Sequence, residues 1–185
     1  MKYIPLIALL AVGCAAAPRE PGTMFVAIDT SDSAAGQKGA FYNATLDGLM
    51  ALPMNASTVV YRFDAKPAEI HSGPPPESTE EAAKLLKRAV QYRTDTPGTN
   101  LAKLIQLIDG RLAESHAPID LRLFTDCGIE LMTKDEKEQV KATTNKWSHD
   151  SRVRSVTFYG VRDGYREELR QMIRLGPDKF AFEQL

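Results

Sequence analysis

The chain of 185 residues has little cysteine, no surplus of charge of either sign and no apolar run long enough to cross a bilayer as a helix. Its only cysteines are Cys14 and Cys127, and neither has a neighbouring base in sequence that would suit a nucleophile. The formal net charge is -1, which argues against nucleic acid as a partner, because phosphate recognition needs a concentrated basic surface. His71, His116 and His149 share no metal-ligand spacing and read as solvated side chains. No serine, histidine and acid arrangement for nucleophilic catalysis is visible, and Ser31 has no adjacent base. What is present is ordinary globular composition, 43% hydrophobic and 25% charged, in a length that suits one domain with a full core and not two.

The start of the chain is read as a leader. Lys2 precedes the apolar stretch Tyr3 to Val12, which has the length of a signal-peptide core. It runs into Leu10, Ala11, Val12, Gly13, Cys14, which resembles a bacterial lipobox, where small residues precede a cysteine that is lipidated and becomes the mature N-terminus. The rival is cleavage after Ala15, Ala16, Ala17, which would put the disfavoured Pro18 first. On the lipobox reading, residues 1–13 are a signal peptide, 14–23 a proline- and glycine-bearing tether, and the protein is exported and membrane-anchored, on the periplasmic or cell-surface side. Cys127 then has no partner and reads as a small buried residue.

The domain at 24–185 opens on Met24 to Ser33, MFVAIDTSDS, where an apolar run stops at a cluster of oxygen-bearing side chains. The run predicts a strand covered on both faces. Asp29, Ser31 and Ser33 stand at i, i+2 and i+4, so a loop could converge a carboxylate and two hydroxyls on a hard cation such as Mg²⁺ or Mn²⁺. Alone, these are common loop residues that bond their own backbone. Two later segments raise their weight. Thr94 to Leu101, TDTPGTNL, places Thr99 before a helical run, and Leu121 to Gly128, LRLFTDCG, places Asp126 at the end of an apolar strand.

Between these segments the pattern predicts helices over 36–52, from the capping box Ser78 to Glu81 onward, from Thr99 onward, after a second capping box at Thr133 and Glu136, and over 163–175. Strands are predicted over 58–63, 119–125, 153–159 and 179–182, with a short antiparallel edge strand around 69–71. Arg162, Arg166, Arg170 and Arg174 recur every four residues and, with Glu167 and Glu168 among them, read as a solvated helix face. Strands alternating with helices imply an α/β fold: a doubly wound, mostly parallel open sheet with helices on both faces. In such sheets ligands sit at the carboxyl ends of the strands where strand order reverses, the edge that Asp29, Thr99 and Asp126 share.

Taken in order, the three segments resemble a von Willebrand factor A domain with its metal-ion-dependent adhesion site. The resemblance covers nearly all of 24–185. It implies Ser31, Ser33 and Thr99 as hydroxyl ligands of one Mg²⁺ or Mn²⁺, with Asp29 and Asp126 binding directly or through water. It implies further a protein partner whose acidic residue completes the metal shell, and no enzymatic activity. Asp32 stands where a small neutral residue is frequent, and Cys127 separates Asp126 from Gly128, which predicts a turn displaced by one residue. A metal-dependent hydrolase and a scaffold without functional metal binding are the alternatives.

Overall fold

The computed structural model describes residues 22–91, 98–129 and 132–185; the leader, Cys14 and residues 94–97 of the threonine segment lie outside the described residues. The apolar run is β1 (Thr23–Asp29), and every residue in it is buried. Its position explains this. β1 pairs in parallel with β2 (Ser57–Phe63) on one side and with β4 (Ile119–Phe124) on the other. With β3 (Ala68–Gly73), β5 (Val153–Tyr159) and β6 (Phe180–Glu183), the sheet has the order β3-β2-β1-β4-β5-β6. β3 runs antiparallel to β2 at one edge, while β4, β5 and β6 continue in parallel. This is the doubly wound architecture that the alternating pattern predicts.

Period-two alternation along β1 sorts the helices onto two faces. Met24, Val26 and Ile28 pack with Phe41 and Leu49 of α1 (Lys38–Met50) and with Leu85 and Leu86 of α2 (Thr79–Gln91). Phe25 and Ala27 face the opposite layer. That layer contains Leu104 and Ile105 of α3 (Leu101–Glu114), Val140 and Trp147 of α4 (Lys134–Ser148) and Leu169 of α5 (Asp163–Met172). A short 3-10 turn, Ala35–Gln37, leads into α1.

Helix ends follow the sequence signals in part. Thr133 and Glu136 form the complete capping box that starts α4. At α2 the box is half made: Ser78 Oγ accepts from the Glu81 amide at 3.2 Å, but the Glu81 carboxylate turns to the Glu77 amide at 3.0 Å. α3 is capped by Asn100, whose side chain accepts from the Lys103 amide at 2.9 Å, so Thr99 stands one residue outside the helix it was expected to begin. Gly110 lies within α3 without ending it. α5 stops at Met172, short of Leu175. Ile173 leaves the helix in an extended conformation with its side chain buried, and the Arg174 amide then donates to Thr144 Oγ1 at 2.9 Å.

Trp147 is fully buried and its indole nitrogen donates to Asp109 Oδ1 at 2.8 Å, which fastens α4 to α3. Trp147→Ala should lower the unfolding free energy by about 3–5 kcal/mol, with Trp147→Phe milder, in urea melts followed by circular dichroism. Equal stability of the alanine variant would show that this layer does not hold the fold.

Candidate metal centre

From β1 the chain crosses through α1 to β2 on one side, and from β4 through α4 to β5 on the other. The loops after β1 and β4 therefore open a crevice at the reversal of strand order. Asp29, the last residue of β1, is 1% exposed. Its Oδ2 accepts from Thr125 Oγ1 at 2.6 Å and its Oδ1 from the Ser31 amide at 2.9 Å. Thr125 Oγ1 in turn accepts from the Cys127 amide at 2.8 Å. One buried carboxylate thus sets the paths of both loops.

The remaining oxygens form a chain. Ser31 Oγ lies 3.0 Å from Ser33 Oγ, and Ser33 Oγ donates to Asp126 Oδ1 at 3.2 Å. A hydroxyl has one proton, and that of Ser33 is committed to Asp126, so Ser31 is the donor to Ser33. Asp126 is 1% exposed and Ser31 5%, whereas Ser33 and Asp32 are on the surface. Thr99 stands beside this network: its Oγ1 donates to the Gly128 carbonyl at 3.2 Å, and it makes no hydrogen bond to Ser31, Ser33 or Asp126. The structure therefore joins Asp29, Ser31, Ser33 and Asp126 and leaves Thr99 at the rim.

These atoms are oxygens of the kind that hard cations take. In octahedral Mg²⁺ coordination, adjacent oxygens are separated by about 2.9 Å, the edge that follows from Mg–O distances near 2.05 Å. The two steps from Ser31 to Ser33 to Asp126, 3.0 and 3.2 Å, are close to such edges. Among the described residues no three His, Cys, Asp or Glu side chains gather to hold a metal, so serine hydroxyls would have to supply part of any shell. An oxygen-only donor set of this kind suits Mg²⁺ or Mn²⁺ and not zinc.

Two residues of the site escaped the sequence reading. Arg162 is not on a solvated helix face; it is the residue immediately before α5, and its Nη2 lies 2.5 Å from Asp126 Oδ2 and 3.3 Å from the Ser33 carbonyl. Arg166 and Arg170 sit over the Phe182 ring, and Arg174 lies beyond the helix. Thr125 is the other. A threonine directly before a strand-end aspartate is a signal that could have found it, since threonine readily accepts the amide two residues on. The turn expected to move to Gly128 has not moved. Cys127 itself adopts the left-handed conformation, φ 54°, with its thiol packed in the core. Left-handed backbone at a residue with a Cβ costs about 1–2 kcal/mol, which the Thr125 bond and thiol burial help offset.

Burial raises the Asp29 carboxyl to a pKa of about 6; bonds from Ser31 and Thr125 pull it down, and the nearby Asp126 charge adds to the rise. A folded pKa above the unfolded value of 3.8 means that the folded chain holds the proton more tightly. Stability from this group is therefore full below about pH 4 and lost as pH rises through 6. In EDTA, the wild type should lose on the order of 2–3 kcal/mol from this source between those limits, and Asp29→Asn should remove that slope. Urea melts at pH 4.5 and 7.5 read it; a slope equal in both proteins would refute the assignment.

No family model and no curated protein matches the sequence. Solved structures do. A von Willebrand factor type A protein from Catenulispora acidiphila superposes with a TM-score of 0.68 at 16% identity, covering 89% of this chain and 38% of that one. The conserved hypothetical protein BatB from Bacteroides thetaiotaomicron gives 0.63 at 13% identity, over 89% of this chain and 90% of its own. The manganese-loaded TRAP protein of Plasmodium vivax gives 0.63 at 14%, over 89% and 69%. The chain thus spans well under half of the first of these structures. At such identities the likeness shows the fold, and the fold is that of von Willebrand factor A domains.

Proposed function

We propose that this chain is a protein-binding module that recognises its partner through one Mg²⁺ or Mn²⁺ held at the crevice between β1 and β4. The observation that carries this reading is the run of Ser31 Oγ, Ser33 Oγ and Asp126 Oδ1 at separations close to octahedral edges. The manganese of one solved relative supports it. Asp29 holds the Ser31 amide from behind and meets the cation directly or through water. Thr99 joins the set by exchanging its bond to the Gly128 carbonyl for the cation. Three neutral hydroxyls and one Asp126 carboxylate leave a bound cation underneutralised, and the charge it supplies attracts an acidic side chain of the partner. Hydrolysis would also need a positioned base. Asp29 is buried, Asp126 is paired, and Asp32 faces solvent, so the non-enzymatic reading is preferred.

A ligand at about a hundred times its dissociation constant that binds only the folded state stabilises by about 2.7 kcal/mol. After EDTA treatment, saturating Mg²⁺ should therefore raise the melting temperature by roughly 5–10 °C. Ser31→Ala should abolish the rise. Binding to a peptide that carries an exposed Asp or Glu should vanish with EDTA, and no ester turnover should exceed that of Ser31→Ala. Identical melting curves with metal and with EDTA would remove the metal.

The same reading puts the module at a membrane by lipid on Cys14. Cys14→Ser should move the protein from the membrane to the soluble fraction and remove the lipid mass from its N-terminus. Unchanged fractionation together with an unmodified wild-type mass would exclude the anchor.

A further inference from the structure

We infer that Arg162 is a built-in competitor for the metal site, an internal cation that must leave Asp126 before a metal ion can bind; this rests on the metal reading proposed above. The Asp126 carboxylate is divided between two partners. Its Oδ1 accepts from Ser33, and its Oδ2 accepts from the Arg162 guanidinium at 2.5 Å. The same Nη2 reaches the Ser33 carbonyl at 3.3 Å, so the guanidinium bridges the two loops that flank the candidate cation position. A dication in contact with Asp126 Oδ1 and Ser33 Oγ would lie within a few ångströms of this charge, too close for salt to screen the repulsion.

The two ends of the ion pair are unequal in freedom. Asp126 is 1% exposed and fixed by the strand end, while the Arg162 side chain is 51% exposed. The arginine is therefore the partner that moves. It has somewhere to go: it lines an open groove of about 450 Å³ between the start of α1 and the start of α5. Gln37 lines the same groove, and its buried Oε1 accepts no hydrogen bond among the described residues. A guanidinium released from Asp126 therefore has open space beside it, and Asp163 stands next to it in the same lining.

The alternative role, in which Arg162 steadies Asp126 for the metal, predicts the opposite sign. Hydrogen bonds to charged groups correspond to roughly a ten- to hundredfold change in an equilibrium constant. The full chain, solubilised and stripped with EDTA, is titrated with Mg²⁺ and with Mn²⁺ by calorimetry, as wild type, Arg162→Gln and Arg166→Gln. Arg162→Gln should bind metal roughly ten to a hundred times more tightly than wild type, and its metal-free melting temperature should fall. Arg166→Gln removes a neighbouring positive charge without touching Asp126. It should shift affinity by less than about threefold, an effect that fades at 0.5 M NaCl, where the screening length is roughly 4 Å. The Arg162→Gln gain should persist at that salt. Equal or weaker binding by Arg162→Gln, with both proteins binding, would overturn it and leave the metal site standing. Gains that match in the two variants and vanish together in salt would overturn it as well, reducing Arg162 to a distant charge. Absence of binding in every protein would remove the metal reading and this inference with it.

Discussion

The hydrogen bond from Thr125 Oγ1 to Asp29 Oδ2, 2.6 Å long, holds the centre of the molecule together. It joins the ends of two neighbouring parallel strands at the place where the chain changes direction through the sheet. A carboxylate that is 1% exposed is costly to ionise unless donors surround it. Here they come from both sides, the Ser31 amide from its own loop and Thr125 from the next strand. Thr125 passes the constraint on by accepting from the Cys127 amide. The position of Ser31 and the left-handed turn at Cys127 are thus two ends of one bonded path.

Charge at the crevice is arranged in two layers. The inner acid, Asp29, has a hydrogen-bond donor on each oxygen, and burial raises its affinity for a proton. The outer acid, Asp126, is neutralised by a full positive charge from Arg162.

Local chemistry was legible in the sequence wherever one segment decided the outcome. β5 spans Val153–Tyr159 as its apolar and β-branched residues predict, and Thr133 with Glu136 caps α4 because both halves of that box lie within one turn. The convergence of the loops bearing Asp29 and Asp126 on one edge was legible from strand alternation, since parallel strands align their ends. What escaped depends on distant chain. Arg162 looks like the first of four evenly spaced arginines, and only the meeting of β4 and β5 ends brings it to Asp126, 36 residues away in sequence. Asn100 and not Thr99 caps α3 because the Asp64 carbonyl takes the Asn100 amide and Glu136 takes its side-chain nitrogen, both tertiary contacts. Cys127 takes the conformation usually given to glycine while its thiol is buried and its amide is held by Thr125, itself tied to Asp29 on a distant strand.

The antiparallel strand β3 closes one edge of an otherwise parallel sheet, and its pairing with β2 slips between Val60 and Tyr61. An irregularity of that kind twists an edge out of the flat geometry that an approaching strand needs. Pro74, Pro75 and Pro76 follow directly, with no amide hydrogens to offer, and at the far edge β6 is only four residues long. Both borders are thus poor templates for a further strand. Copies of this domain crowded together would stay separate rather than zip into continuous sheets.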